Sequence, residues 1–305
     1  MRAAMNSPML YVGHSAATLG SRRIGAYAAL FALLAAMALL CTRLVVRPAV
    51  DWSEGNAWLL AITAASTLAT LGHACLTLTV RRGLAFLAIA MAVSLAAEYC
   101  GMRWSLPFGF PYSYDPNLQP LLLGRVPLSV PPMWFVLAYT PVVFLRPLRV
   151  APRGRLEPLR LLAKVLLCSL YLVCIDLFMD PLGVSVGAWA WPEGGAYLGI
   201  PLLNYLGWLA VGIVIFLPYF ALAGDTASAR DTAALDSGYA ITSICLTFLI
   251  MATCMVRLGT WLPAALVLPL LLPLWMYRQG RVSVTKPCRR AAPRITYDAM
   301  EALSE

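Results

Sequence analysis

Charge is what this sequence lacks. Asp, Glu, Lys and Arg make up 12% of its 305 residues, and 61% of positions are hydrophobic. A soluble domain carries about 25% charge, so a mean hydropathy of +0.76 excludes a soluble fold before any motif is read. Histidine is nearly missing too, with only His14 and His73. The eight cysteines form no CxxC pair and no metal-ligand spacing. Six of them fall in apolar runs, where Cys acts as a small hydrophobe. There is no Gly-x-Ser-x-Gly, P-loop, GxGxxG or His-Glu-x-x-His, so hydrolase-triad, nucleotide and zinc chemistry have no sequence support. An internal repeat of the kind that builds many transporters is also missing.

What is present is a series of apolar runs near the roughly 17–25 residues that a membrane span needs. They occupy 24–42, 55–80, 83–97, 126–145, 161–179, 194–224, 237–256 and 258–277. The run 194–224 becomes helical only near Asn204. The expected fold is all-α, a polytopic helix bundle of eight spans, or seven if 258–277, with Pro263, Pro269 and Pro273, re-enters. With eight spans, 18 of the 23 Lys and Arg residues fall on one side, which places both termini in the cytoplasm and the chain in the inner membrane of the cell. Residues 1–22 and 279–305 read as flexible tails around one transmembrane domain, 23–278. Loop 146–160 reads as a basic topology anchor. The net charge of +9 then reflects topology and anionic lipid, with no nucleic-acid partner.

The acids carry the functional signal. Seven of the fourteen sit at or beside helix ends on one expected side, among them Glu98, Asp176 and Asp180, which lie in or against apolar runs. A carboxylate at a helix centre costs about 3 kcal/mol, so such a residue is by default a functional candidate. Asp176 and Asp180 are four apart and share a helix face, and Pro181 suggests that the helix ends there. Two carboxyls close together in a low dielectric hold one proton between them, which is the equipment of general acid–base catalysis. The plainer readings are that Asp180 caps a turn, that Asp176 pairs with Arg103 or Arg125, and that Glu98 snorkels outward at the interface or pairs with Arg103. Asp115 and Glu193 read as solvated loop acids, His73 as a packing residue with a backbone partner, and Asn204 as either an N-cap or an orienting amide.

Two long loops, 101–125 and 180–203, interleave glycine with Tyr112, Tyr114, Trp189, Trp191 and other aromatics. An interfacial belt explains about half of these rings. The glycines permit tight turns and suggest loops folded back over a cavity.

The motifs Glu98-x-x-Gly101, Pro107-Phe-Gly109-x-x-Tyr112-x-Tyr114, Gly124-x-Val-Pro127-x-x-x-Pro131-x-x-Trp134, Asp176-x-x-x-Asp180-Pro181, Trp189-x-Trp191 and Gly199-x-Pro201-x-x-Asn204-x-x-Gly207-Trp208 occur in order. Over roughly 55–275 the sequence resembles the carotenoid biosynthesis membrane family, which includes γ-carotene 1′-hydratases and bisanhydrobacterioruberin hydratases. The segment Asp115-Pro-Asn-Leu-Gln-Pro120-Leu-Leu-Leu-Gly124 is less glycine-rich than the resemblance leads one to expect. The resemblance implies addition of water across the terminal C=C of an acyclic carotenoid end group, giving a tertiary alcohol without cofactor or metal. Asp180 would then donate the proton, Asp176 reload it and Glu98 manage the water. Tyr112, Tyr114, Trp134, Trp189, Trp191 and Asn204 would contact substrate, with the bilayer and other enzymes of the pathway as partners. Two alternatives remain: a metal-dependent prenyl transferase using Asp176 and Asp180, and a non-catalytic carotenoid- or lipid-binding protein.

Overall fold

The computed structural model describes residues 50–146, 157–223 and 233–271, with 39, 42, 43 and 45 before them. Almost all of the expected first span, both tails and residues 147–156 of the basic loop lie outside the described residues.

Helix α1 (Trp52–Thr77) opens on Asp51, whose carboxylate accepts from the Ser53 N–H at 2.9 Å, satisfying one of the donors that a helix start leaves free. Only Leu78 and Thr79 separate it from α2 (Val80–Trp104), and Thr79 Oγ1 accepts from the Arg82 N–H at 3.2 Å. So short a linker makes the pair an antiparallel hairpin.

Three two-residue strands follow: β1 (Ser113–Tyr114), β2 (Leu121–Leu122) and β3 (Val126–Pro127). Strands β2 and β3 pair antiparallel, so the expected span at 126–145 is shortened. Its helix, α3, runs Val130–Phe144 and has 15 residues, with Pro131 in the first turn, where a missing N–H costs nothing.

Helix α4 (Glu157–Ser185) corrects a second expectation, because it continues through Pro181. A mid-helix proline orphans the carbonyl four residues back, here that of Leu177. The Tyr197 hydroxyl donates to that oxygen at 2.8 Å, which lets the helix run a further turn beyond Asp180. Strand β4 (Trp189–Ala190) follows, then α5 (Leu202–Ala223), α6 (Ala233–Leu258) and the apolar α7 (Leu262–Leu271).

Among the described residues, five helices, α1, α2, α4, α5 and α6, are long and apolar enough to cross a membrane, while α3 and α7 are shorter. The chain is a multi-pass membrane helix bundle. Helix α4 packs chiefly on α5, and α2 on α3.

One end of the bundle is laced together by side chains. Trp52 Nε1 donates to the Val186 carbonyl at 2.9 Å and Asn56 Nδ2 to that of Gln119 at 2.7 Å. Arg257 donates to Ser185 Oγ at 3.1 Å and to its carbonyl at 2.8 Å. These bonds gather the start of α1 with the ends of α4 and α6 and with the loop that precedes α3. Strand β1 pairs antiparallel with β4, setting Tyr114 opposite Trp189. Both long loops therefore fold over this end as one unit.

The opposite end has its own buried polar group. Arg146, expected in the basic loop, is buried and donates to Asp236. His73 Nδ1 lies 3.0 Å from the Tyr139 hydroxyl, its Nε2 lies 3.6 Å from Asp236, and its ring stacks on Tyr239. Its packing role thus rests on side chains rather than on the backbone partner expected.

Removing one member of a buried ion pair strands the other, at about 3–5 kcal/mol, whereas replacing both with apolar groups is near neutral. Asp236→Ala should therefore lose about that much stability in detergent unfolding, and the double variant Arg146→Met/Asp236→Leu should regain most of it. A single variant as stable as the parent would contradict a buried pair.

Candidate functional site

Glu98, Asp176 and Asp180 all lie at the laced end. Asp176 is fully buried, and Glu98, Asp180 and Asn204 are 5%, 6% and 2% exposed, so none is held by bulk water. A buried carboxyl needs donors, and the fold supplies them from the loop after α2, from α3 and from α5.

Glu98, in the last turns of α2, receives three. Trp134 Nε1 donates to Oε1 at 2.9 Å, and the hydroxyls of Tyr112 and Tyr114 donate to Oε2 at 2.5 and 2.8 Å. Burial, and then the Glu98 charge, hold both phenols well above their ordinary pKa, so they remain donors. Arg103 is not the partner: its guanidinium sits over the Trp104 ring. An ionised carboxylate accepts about four hydrogen bonds, which leaves Glu98 room for one more donor.

The two aspartates are one turn apart on α4, and a single group joins them. Asn204 Nδ2, in the first turn of α5, donates to Asp176 Oδ2 at 2.8 Å and to Asp180 Oδ2 at 2.6 Å. Two oxygens that share one amide nitrogen lie within a few ångströms of each other. Asn204 is therefore a bridge and not an N-cap, because α5 already begins at Leu202. Neither aspartate makes an ion pair among the described residues, which removes the Arg103 and Arg125 pairing.

Around these acids lies a cavity of about 50 Å³, lined by Glu98, Asp180 and Asn204 together with Tyr112, Tyr114, Trp134, Trp189, Trp191, Phe108 and Trp208. All the expected substrate-contact residues line it. Asp176 sits behind Asn204 and is not in the lining. Asp176 Oδ1 and the indole N–H groups of Trp189 and Trp191 are buried without a protein partner. Polar atoms of that kind can hold a water or a ligand atom. Loop acids Asp115 and Glu193 are outside the cavity: Asp115 Oδ1 accepts from the Asn117 N–H in a turn, and Glu193 is exposed.

Close packing fixes the rings. The Trp189 ring lies so near Gly183 of α4 that a Cβ there would fall 2.0 Å from its Cζ2. Phe108 is wedged between Gly101 and Gly207, with corresponding approaches of 2.5 and 2.6 Å. Trp208 stacks on Trp134 at 4.0 Å between centroids. Trp208 and Phe108 were not among the residues expected at the site. The spacing offered a signal for Trp208, which is four residues after Asn204 on the same helix face.

The arrangement does not favour a metal between the aspartates. An amide nitrogen donates to both carboxyls where a cation would need their lone pairs, and among the described residues no three His, Cys, Asp or Glu are grouped as ligands.

A family model for carotenoid biosynthesis proteins matches residues 55–274, a span containing every site residue named above. A bisanhydrobacterioruberin hydratase from Haloarcula japonica is 34% identical over 157 residues, which is 50% of this chain and 50% of that protein. The chain thus spans about half the length of the curated relative it matches. No solved structure matches it. With most of its length inside the family model and the site residues within that match, the chain belongs to the carotenoid biosynthesis protein family.

Proposed function

We propose that the protein is a carotenoid hydratase, adding water across the terminal C=C of an acyclic end group to give a tertiary alcohol. The observation that carries this is the pair Asp176–Asp180, bridged by Asn204, opening on an aromatic-walled cavity inside an apolar bundle. Family membership and the hydratase named among its relatives support the same reading.

Asp180, which lines the cavity, delivers a proton to the less substituted alkene carbon. The C=C electron pair forms the new C–H bond and leaves a tertiary cation on the neighbouring carbon. The faces of Trp189, Trp191, Tyr112 and Tyr114 stabilise that cation, a contact worth about 2 kcal/mol or more when desolvated. Water adds to the cation and loses a proton to a carboxylate. Glu98, with its remaining acceptor position, is that carboxylate; Asp176 returns a proton to Asp180 and is itself reloaded with the proton that Glu98 took from the water. One water is consumed, and the acids end as they began. No step calls for a redox cofactor.

Bacteria that accumulate an acyclic carotenoid, given this gene, should form a hydroxylated pigment. The reading fails if none forms from any acyclic-end carotenoid tested. Asp180→Asn keeps the shape and removes the acid, so turnover should fall about 10²–10⁴-fold while the protein folds and binds pigment. Asp176→Asn should be milder, and Glu193→Gln in the neighbouring exposed turn should change little. Equal activity in Asp180→Asn and Glu193→Gln would remove the proton-donor assignment.

Gly183→Ala tests the aromatic wall. Its new methyl must displace the Trp189 ring, and misplacement by about 1 Å can cost on the order of 10²-fold. kcat/KM should drop by about that factor, alongside the loss of about 1–3 kcal/mol of stability that overpacking costs. Unchanged kinetics would mean that Trp189 does not touch the reacting end.

A further inference from the structure

A second cavity, about 230 Å³ in volume, lies between α1, α3, α4 and α6. Along α1 it is lined by Trp52, Gly55, Leu59, Ile62, Ser66 and Thr70, a single stripe at helical spacing. From Trp52 to Thr70 the helix rises about 27 Å, so the space is long and narrow. It abuts the acid cavity, because Met133, Leu137, Met179 and Trp189 line both.

Its two halves differ in chemistry. Beside the site the walls are Ile175, Phe178, Leu182 and Ile250, with charge only from Arg43 and Asp51 near the start of α1. Towards the other end of the bundle they are Thr63, Ser66, Thr70, Thr140, Tyr239 and Ser243. These hydroxyls are partly spoken for. Ser66 donates to the Ile62 carbonyl at 2.7 Å and Thr140 to that of Val136 at 3.1 Å, while Thr70 Oγ1 and the Tyr239 hydroxyl are 3.3 Å apart. A hydroxyl whose proton is committed to its own helix still offers lone pairs. The far end is therefore rich in acceptors.

Resting on the hydratase reading, we propose that this cavity holds the extended polyene arm of the substrate, which threads past Trp189 to present one end at Asp180. Its hydroxyl-lined end favours a remote end group that carries a hydrogen-bond donor, such as an alcohol. The acid cavity has room for an end group and a water; the rest of a carotenoid must lie elsewhere, and the space continuous with it is elongated, apolar beside the site and free of charged lining beyond Arg43 and Asp51 at its near end. A substrate already hydroxylated at one end fits with that end remote and its unmodified end at the acids.

Purified protein in lipid nanodiscs can be titrated with an acyclic C40 carotene and with its mono-hydroxylated form, reading the visible circular dichroism induced in the bound polyene alongside turnover. Wild type and Asp180→Asn should both bind. Ile62→Trp, which fills the cavity, should lose binding and turnover at least tenfold, whereas Leu222→Trp on the exposed face of α5 should change neither. The double variant Ser66→Ala/Thr140→Val should bind the mono-alcohol about tenfold more weakly and the unmodified carotene as before. Wild-type binding and turnover in Ile62→Trp would overturn the proposal, leaving the cavity to lipid or to the apolar segment 24–42. Equal effects of the double variant on both ligands would overturn the far-end preference. Pigment bound by wild type and blocked by Ile62→Trp, with no product from any substrate, would sink the hydratase and leave the polyene site standing.

Discussion

A carboxyl group inside an apolar bundle must be given hydrogen-bond donors, and this protein has three of them within a few turns of one end. The solution governs the architecture around them. Glu98 draws in Tyr112 and Tyr114 from one loop and Trp134 from α3. The aspartates draw in Asn204 from α5. Five stretches of chain thus converge because burying charge or polarity without a partner costs several kcal/mol. The pairing of β1 with β4 then joins the loops that carry the rings, so the donors and the aromatic wall are positioned by the same contacts.

The same constraint gives the acids different surroundings. Glu98 is surrounded by donors that keep their protons and hold it as an acceptor. The aspartates have one amide between them, and unpartnered indole N–H groups stand nearby. A site for adding water to an alkene needs this asymmetry, an acceptor on one side and a proton source on the other, enclosed by electron-rich faces. The far end of the bundle solves its own burial problem differently, with the Arg146–Asp236 ion pair and the stacked His73, a structural arrangement remote from the acids.

Much of this was readable in the sequence. Composition alone specified a membrane helix bundle, and the i, i+4 spacing of Asp176 and Asp180 placed both on one face. The glycine–aromatic interleaving pointed to folded loops. Other features depended on contacts between residues far apart in the chain. Pro181 signals a helix end only if nothing replaces its lost hydrogen bond, and Tyr197, sixteen positions later, does so. Asn204 looked like a cap because caps are local, whereas its partners lie on another helix. The shortening at 126–145 arose from a two-residue strand, too brief to leave a periodic trace. Trp208 escaped because apolar rings in apolar runs look alike until packing separates wall from lipid face, and Phe108 because its loop holds many rings that only packing sorts.

The central claim is that water and an enzyme-borne proton are added to an alkene, and isotopes read both events at once. Turnover in deuterium oxide enriched in ¹⁸O should give an alcohol with one non-exchangeable deuterium on the carbon next to the carbinol and ¹⁸O in its hydroxyl. Product whose oxygen derives from dioxygen, or whose carbon frame gains no deuterium, would contradict the account.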